Sequence, residues 1–160
     1  MKGLFVSIEG VEGAGKSTNH QFVCDFLSAA GHEVVATREP GGTVEAEKIR
    51  SVLLDSANTL DAASEALLMF AARQEHLQKI VRPALAAGST VVSDRFVDAS
   101  YAYQGSGRGL GFDFIEALDK LVVGSTTPDL TLYLDLDIDE GRRRVATLSL
   151  IHISEPTRPY

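Results

Sequence analysis

Positive charge, cysteine and long apolar runs are all scarce in this chain, and each shortage excludes a class of protein. Acidic residues outnumber basic ones 22 to 15, a net charge of −7. That balance argues against a general nucleic-acid or anionic-membrane surface, so the basic residues that matter should be few and local. A single cysteine, Cys24, has no disulfide partner in the chain and lies inside an apolar helical pattern. It reads as a small buried hydrophobe rather than a nucleophile. No apolar run is long enough to span a bilayer, and the N-terminus enters a strand with no signal-peptide layout. Neither an internal repeat nor an interdomain linker is visible. With 160 residues and 44% apolar content, the expectation is one α/β domain with one core, working in the cytoplasm.

Glycine, by contrast, is placed with purpose. The segment Gly10-Val11-Glu12-Gly13-Ala14-Gly15-Lys16-Ser17-Thr18 fits the phosphate-binding spacing G-x-x-x-x-G-K-[ST]. The apolar run Leu4–Ile8 leads into it, and a helical pattern from Lys16 to about Ala30 leaves it. Strand, glycine-rich loop and helix together form a cradle whose backbone N–H groups wrap a polyphosphate. The positive end of the helix points at the same charge. In such a loop Lys16 reaches the β/γ-phosphates and the Ser17 hydroxyl ligates Mg²⁺. An Asn/Thr-Lys-x-Asp guanine motif is missing, which disfavours a GTPase.

The rest of the chain alternates short β-rich runs with helical patterns, predicting parallel βαβ units. Strands are expected at 32–37, 90–93 and 130–136, and helices at 43–55, 62–87, 112–123 and from about Asp139. Pro83 should kink or break the long helix near Arg82. Residues 106–111, with three glycines, read as a loop.

Three further segments carry candidate chemistry. Thr37-Arg38-Glu39-Pro40-Gly41-Gly42-Thr43 follows the second strand; its glycines free the backbone to approach a ligand, and Arg38 suits bidentate phosphate recognition. Arg50, about two helical turns beyond Thr43, projects from the same face. Asp94-Arg95 ends an apolar strand, where the acidic residue that holds or orients Mg²⁺ sits in P-loop enzymes. Ser100-Tyr101-Ala102-Tyr103-Gln104-Gly105 gathers hydroxyls and an amide; it reads either as solvated loop or as a base-reading segment, with Gln104 supplying a donor and an acceptor.

In this order the P-loop, Thr37–Thr43, Ala71-Ala72-Arg73, Asp94-Arg95-Phe96, Ala102-Tyr103-Gln104-Gly105 and Pro128–Asp135 resemble the bacterial thymidylate kinase family, from residue 3 to about 146. The resemblance implies a P-loop NTPase fold, a three-layer α/β/α sandwich with a parallel sheet, and transfer of the ATP γ-phosphoryl group to dTMP with Mg²⁺. It also implies a homodimer. By the same resemblance Arg38 and Arg95 hold the dTMP phosphate, Arg50 assists, and Glu12 lies near the sugar and acceptor phosphate. Arg73 donates to thymine, Ser100 and Gln104 complete base recognition, and Tyr103 crowds the 2′ position. The family's stacking phenylalanine stands four residues before the arginine. Here that residue is Met69 and the next is Phe70; both neighbour Arg73 on a helix, so either meets the geometry of stacking, and Phe70 equally suits plain core. Another (deoxy)nucleoside monophosphate kinase is the alternative, with dUMP left open as acceptor.

The chain departs from the family in two respects. Its P-loop holds Val11 and Glu12 but no arginine, so it resembles members that take a catalytic arginine from a lid. Where the lid should follow Arg142-Arg143-Arg144, the sequence runs Leu148-Ser149-Leu150-Ile151-His152-Ile153-Ser154-Glu155-Pro156-Thr157-Arg158-Pro159-Tyr160. That stretch resembles translated sequencing adaptor. The expectation is an incomplete kinase domain over 1–147, lacking lid and fifth strand, followed by a non-native tail over 148–160. A missing arginine of this kind lowers phosphoryl transfer by roughly 10³–10⁵, so little turnover is expected from the 160-residue chain itself.

Overall fold

The computed structural model describes residues 3–149. The tail set apart from about Leu148 therefore lies, beyond residue 149, outside the described residues. Four strands, β1 (Phe5–Gly10), β2 (Val34–Arg38), β3 (Thr90–Asp94) and β4 (Leu130–Leu134), form one sheet in the order β2-β3-β1-β4. All pairings are parallel, with Ile8 beside Asp94, Arg38 beside Asp94 and Gly10 beside Leu134. The carboxyl ends of β1, β2 and β3 thus share one edge of the sheet. The connection from β1 runs to β2, past β3, while β4 lies on the other side of β1. The order reverses between β1 and β3, where open parallel sheets bind ligands.

Helices cover both faces because successive strand residues face opposite ways. Phe5 and Val91 point into a cluster with Phe70, Leu77, Phe96 and Ile115. Val6, Ile8 and Val92 point the other way, onto Cys24, Val23 and Leu27 of α1 (Lys16–Ala29). The expected role of Cys24 as a buried hydrophobe is met. The remaining helices are α2 (Val44–Leu54), α3 (Ala62–His76), α4 (Arg82–Ala87), α5 (Val97–Ser100), α6 (Phe112–Val122) and α7 (Ile138–Ser149). Among the described residues no helix is long and apolar enough to cross a membrane.

Two segments differ from expectation. Pro83 does not end the helical path at Arg82, although the α-helical bonding of α3 stops at His76 and resumes at Arg82. Residues Leu77–Val81 instead widen into a π-helical turn, and the Arg82 N–H bonds the Leu77 carbonyl five residues back. The extra residue per turn absorbs the hydrogen bond that proline cannot make, and Pro83 then sits at the start of α4, where a missing N–H costs nothing. The helix ends as predicted, with Gly88 left-handed at φ 91°. The second difference is at Tyr101–Gly107, which continues α5 as a π-helix. The predicted loop starts only after it, because Ser100, Gln104 and Gly105 are buried against α3 and α6 and need intrahelical partners for their backbone.

Candidate functional site

The phosphate cradle forms as the chain leaves β1. Gly13 and Gly15 take left-handed conformations (φ 77° and 81°), and Gly15 caps α1 with no side-chain hydrogen bond, leaving the first-turn N–H groups to a ligand. Lys16 folds back over the loop, donating to the carbonyls of Gly10 (3.0 Å) and Val11 (2.8 Å). Burial, and then the neighbouring Arg95 guanidinium, draw its ammonium below the ordinary lysine range. Polyphosphate is the charge that would reverse this. Ser17, Thr18 and Glu12 face outward.

Behind the cradle stands a glycine that the sequence reading passed over. A Cβ on Gly13 would lie 2.5 Å from the Gly141 carbonyl oxygen, and one on Gly141 would lie 2.5 Å from the Glu12 carbonyl oxygen. The P-loop and α7 therefore meet backbone to backbone. A glycine isolated within the helical pattern after Asp139 was the available signal.

At the same sheet edge Ser17, Thr37, Arg38, Gly42 and Asp94 line one cavity of about 490 Å³. The structure thus brings together both predicted metal ligands and the predicted phosphate ligand of the second loop. One carboxylate oxygen of Asp94, Oδ1, is buried and has no hydrogen-bond partner, an arrangement that calls for a cation or a donor from a ligand. No cluster of three or more metal-ligating side chains occurs among the described residues; Mg²⁺ bound with phosphates needs only one or two protein oxygens.

Arg38 is half exposed, and its Nη2 donates to both oxygens of Glu47, at 3.2 Å and 3.1 Å. The Gly42 N–H, with help from Arg38, holds the Glu47 carboxyl below the usual range despite its partial burial. A carboxylate here occupies the guanidinium face that suits a phosphate. Arg50 reaches back from α2 to the Pro40 carbonyl at 2.9 Å, bracing the same loop.

Arg95 adopts φ 68°, the one non-glycine residue with positive φ among those described. Its N–H donates to the Ile8 carbonyl at 2.9 Å, its guanidinium lies 3.4 Å from the Gly10 carbonyl, and it rests over the Tyr103 ring at 5.2 Å. The next residue, Phe96, donates its N–H to Glu9 at 2.7 Å. Burial raises the Glu9 carboxyl to about 7, against the opposing pull of that N–H and of Arg95.

Arg73 is fully buried and surrounded by partners. Its Nε donates to Glu39 Oε2 at 2.7 Å, and its terminal nitrogens donate to Ser100 Oγ and the Phe96 carbonyl, each at 3.2 Å. The Phe70 ring lies 4.6 Å beneath the guanidinium and is part of the core, while Met69 is half buried. Glu39 also accepts from His76 Nδ1 at 2.9 Å, and His76 Nε2 faces Thr37 Oγ1 at 2.6 Å. Burial alone would raise the Glu39 carboxyl, but Arg73 and His76 outweigh it and hold it low. Glu39 and His76 were not predicted, since nothing in their local spacing marks them as partners. Gln104 is buried beside this group, with its amide nitrogen on Glu65 Oε1 at 2.9 Å.

The family model for thymidylate kinase matches residues 8–154. The thymidylate kinase of Chromohalobacter salexigens is 58% identical over 145 residues, covering 89% of this chain and 68% of that protein. That of Nitrosospira multiformis is 51% identical over 148 residues, covering 92% of this chain and 72% of that one. The crystal structure of thymidylate kinase from Ehrlichia chaffeensis superposes with a TM-score of 0.81 at 36% identity, covering 94% of this chain and 89% of that chain.

Proposed function

The chain belongs to the thymidylate kinase family, and we propose that it transfers the γ-phosphoryl group of ATP to the phosphate of dTMP, giving dTDP and ADP. The observation that carries this reading is the meeting of two different sites at one sheet edge. The lysine-bearing loop after β1 stands beside Arg38 at the end of β2 and Arg95 just after β3, and the buried Arg73 ties together Glu39, Phe96 and Ser100, which follow those strands.

The chemistry follows from charge. One phosphate oxygen attacks another phosphoryl group, so the site must supply cations and alignment rather than a covalent nucleophile. Lys16 and the α1 N-terminus hold the donor phosphates. Arg38, released from Glu47, and Arg95 neutralise the acceptor phosphate, with Arg50 bracing the loop and Glu12 beside the sugar. The acceptor is already deprotonated near neutral pH, so no general base is required. Mg²⁺ fits the orphaned Asp94 oxygen and the Ser17 hydroxyl on the same cavity wall, and when bound it supplies further neutralisation of the phosphates. Arg73 donates to a thymine carbonyl, Gln104 and Ser100 complete the base contact, and Tyr103, against Arg95, borders the sugar.

Family membership also supports a homodimer, and the exposed apolar side chains Leu67 on α3 and Phe112 and Leu121 on α6 support a covered face there. We place the reaction in the cytoplasm.

Calorimetry with thymidine and dTMP, and ADP release with dTMP, dUMP and dGMP as acceptors, test the function. Arg38→Ala should weaken dTMP binding by roughly 10–100-fold, as loss of a charged hydrogen bond does, and leave thymidine binding unchanged. Equal and measurable turnover of all three acceptors, or equal loss of thymidine and dTMP binding, overturns the reading.

A further inference from the structure

We infer that Glu65 is a specificity-determining residue: it fixes which end of the Gln104 amide meets the nucleobase, and so makes the site select bases with an N3–H. The inference rests on the reading of Gln104 as a base contact.

Gln104 is 4% exposed, and its two amide ends are treated differently. The nitrogen donates to Glu65 Oε1 at 2.9 Å, whereas Oε1 of Gln104 is buried with no partner among the described residues. A carboxylate has only acceptors, so it can be approached by the NH₂ end alone. Glu65 is itself held from behind. It lies in the first turn of α3, and its second oxygen is 3.5 Å from Arg108, which also donates to the Leu60 carbonyl at 2.8 Å. The amide is therefore locked with its carbonyl oxygen turned away from Glu65. Ser100, one helical turn before Gln104, accepts from Arg73, so the Arg73 donor is anchored to the turn that precedes the orphaned acceptor.

An orphaned acceptor beside a donor complements thymine and uracil, which present an N3–H next to the O4 carbonyl. Cytosine presents N3 as an acceptor beside a 4-amino donor, so both contacts would be reversed. A buried polar group left facing its own kind is what lets a site reject a near-isostere. The amide could turn over if Glu65 were replaced by a group that can also donate.

Equilibrium binding of dTMP and dCMP to the 160-residue chain tests this without relying on turnover. Glu65→Gln keeps the shape and adds a donor; it is expected to lower the preference for dTMP over dCMP by about tenfold. Glu65→Asp changes the shape but remains acceptor-only, and should retain the preference within about threefold. A packing role predicts the opposite order, and that order overturns the inference. Gln104→Leu separates the two readings. If it abolishes the preference while Glu65→Gln does not, only the role of Glu65 fails. If it leaves the preference intact, the base contact itself fails, and the inference with it.

Discussion

Glu9 and Phe96 stand 87 residues apart in sequence, yet Glu9 Oε1 accepts the Phe96 backbone N–H at 2.7 Å. The bond joins the end of β1 to the residue after Arg95 and so pins the peptide that follows a left-handed arginine. Such a conformation costs about 1–3 kcal/mol at a non-glycine residue unless its surroundings over-determine it. Here the Ile8 carbonyl on one side and Glu9 on the other do so.

Glu9→Gln keeps an acceptor for Phe96 and removes a titratable group. The parent carboxyl is raised from 4.5 to about 7, so the folded state binds the proton more tightly than the unfolded state. Its contribution to stability is full below about 4.5 and is lost as pH rises toward 7. The melting temperature of Glu9→Gln relative to the parent should therefore climb steadily across that window. A difference that stays flat with pH would show that Glu9 does not titrate there.

Lys16→Met should weaken ATP binding by roughly 10–150-fold, the loss of one charged hydrogen-bonding group at about 1.5–3 kcal/mol. Stability should hold, because among the described residues the lysine hydrogen-bonds only loop carbonyls. Calorimetry of ATP binding alongside thermal melting checks both halves.

Glu39→Ala leaves the fully buried Arg73 guanidinium without its ion-pair partner. Breaking such a pair costs about 3–5 kcal/mol, read as a fall in the urea midpoint. Because the Glu39 carboxyl is held low, its stabilisation is present above the ordinary glutamate range and disappears as pH falls through its depressed value. Glu39→Ala and the parent should thus converge in strong acid. A constant gap down to that range would contradict the ion-pair account.

Gly141→Ala pits two effects of opposite sign. Alanine favours a helix over glycine by about 0.5–1 kcal/mol, but the added Cβ would stand 2.5 Å from the Glu12 carbonyl oxygen. Backbone has little room to yield, and overpacking of this kind costs about 1–3 kcal/mol. Net destabilisation with weaker ATP binding is expected; a more stable protein with unchanged binding would show that α7 does not brace the loop.

Elements whose bonds run between near neighbours were legible from the sequence alone. The β1–loop–α1 cradle is contiguous, so its strand pattern, glycines and lysine spelled out the backbone path. Hydrophobic periodicity likewise announced β2, β3, β4 and the helices other than α5 to within a few residues. At Pro83 the α-helix is interrupted as expected, but by a device the expectation did not contain, since it weighed the missing N–H alone. A π-helical turn upstream absorbs it, and nothing in the local spelling of 77–81 encodes that register shift. The stretch 101–107 misled because its glycines and hydroxyls spell loop until burial against α3 and α6 obliges the backbone to bond internally.

The roles of most polar side chains had no local signal. Arg73 meets Glu39 across 34 residues, His76 meets Thr37 across 39, and Gln104 meets Glu65 across 39. Those pairings exist only once the parallel strands set Arg38, Asp94 and Gly10 at one edge and the helices close over them. Sequence by itself determined where a triphosphate could be cradled and which arginines were available to a second phosphate. Tertiary structure alone decided which of those arginines is buried and paired, which oxygens of Asp94 and Gln104 are left for a ligand, and which glycine backs the loop. The physical reason is the range of the bonds: backbone geometry is set by adjacent residues, whereas a buried charge is satisfied only by whatever the fold brings to it.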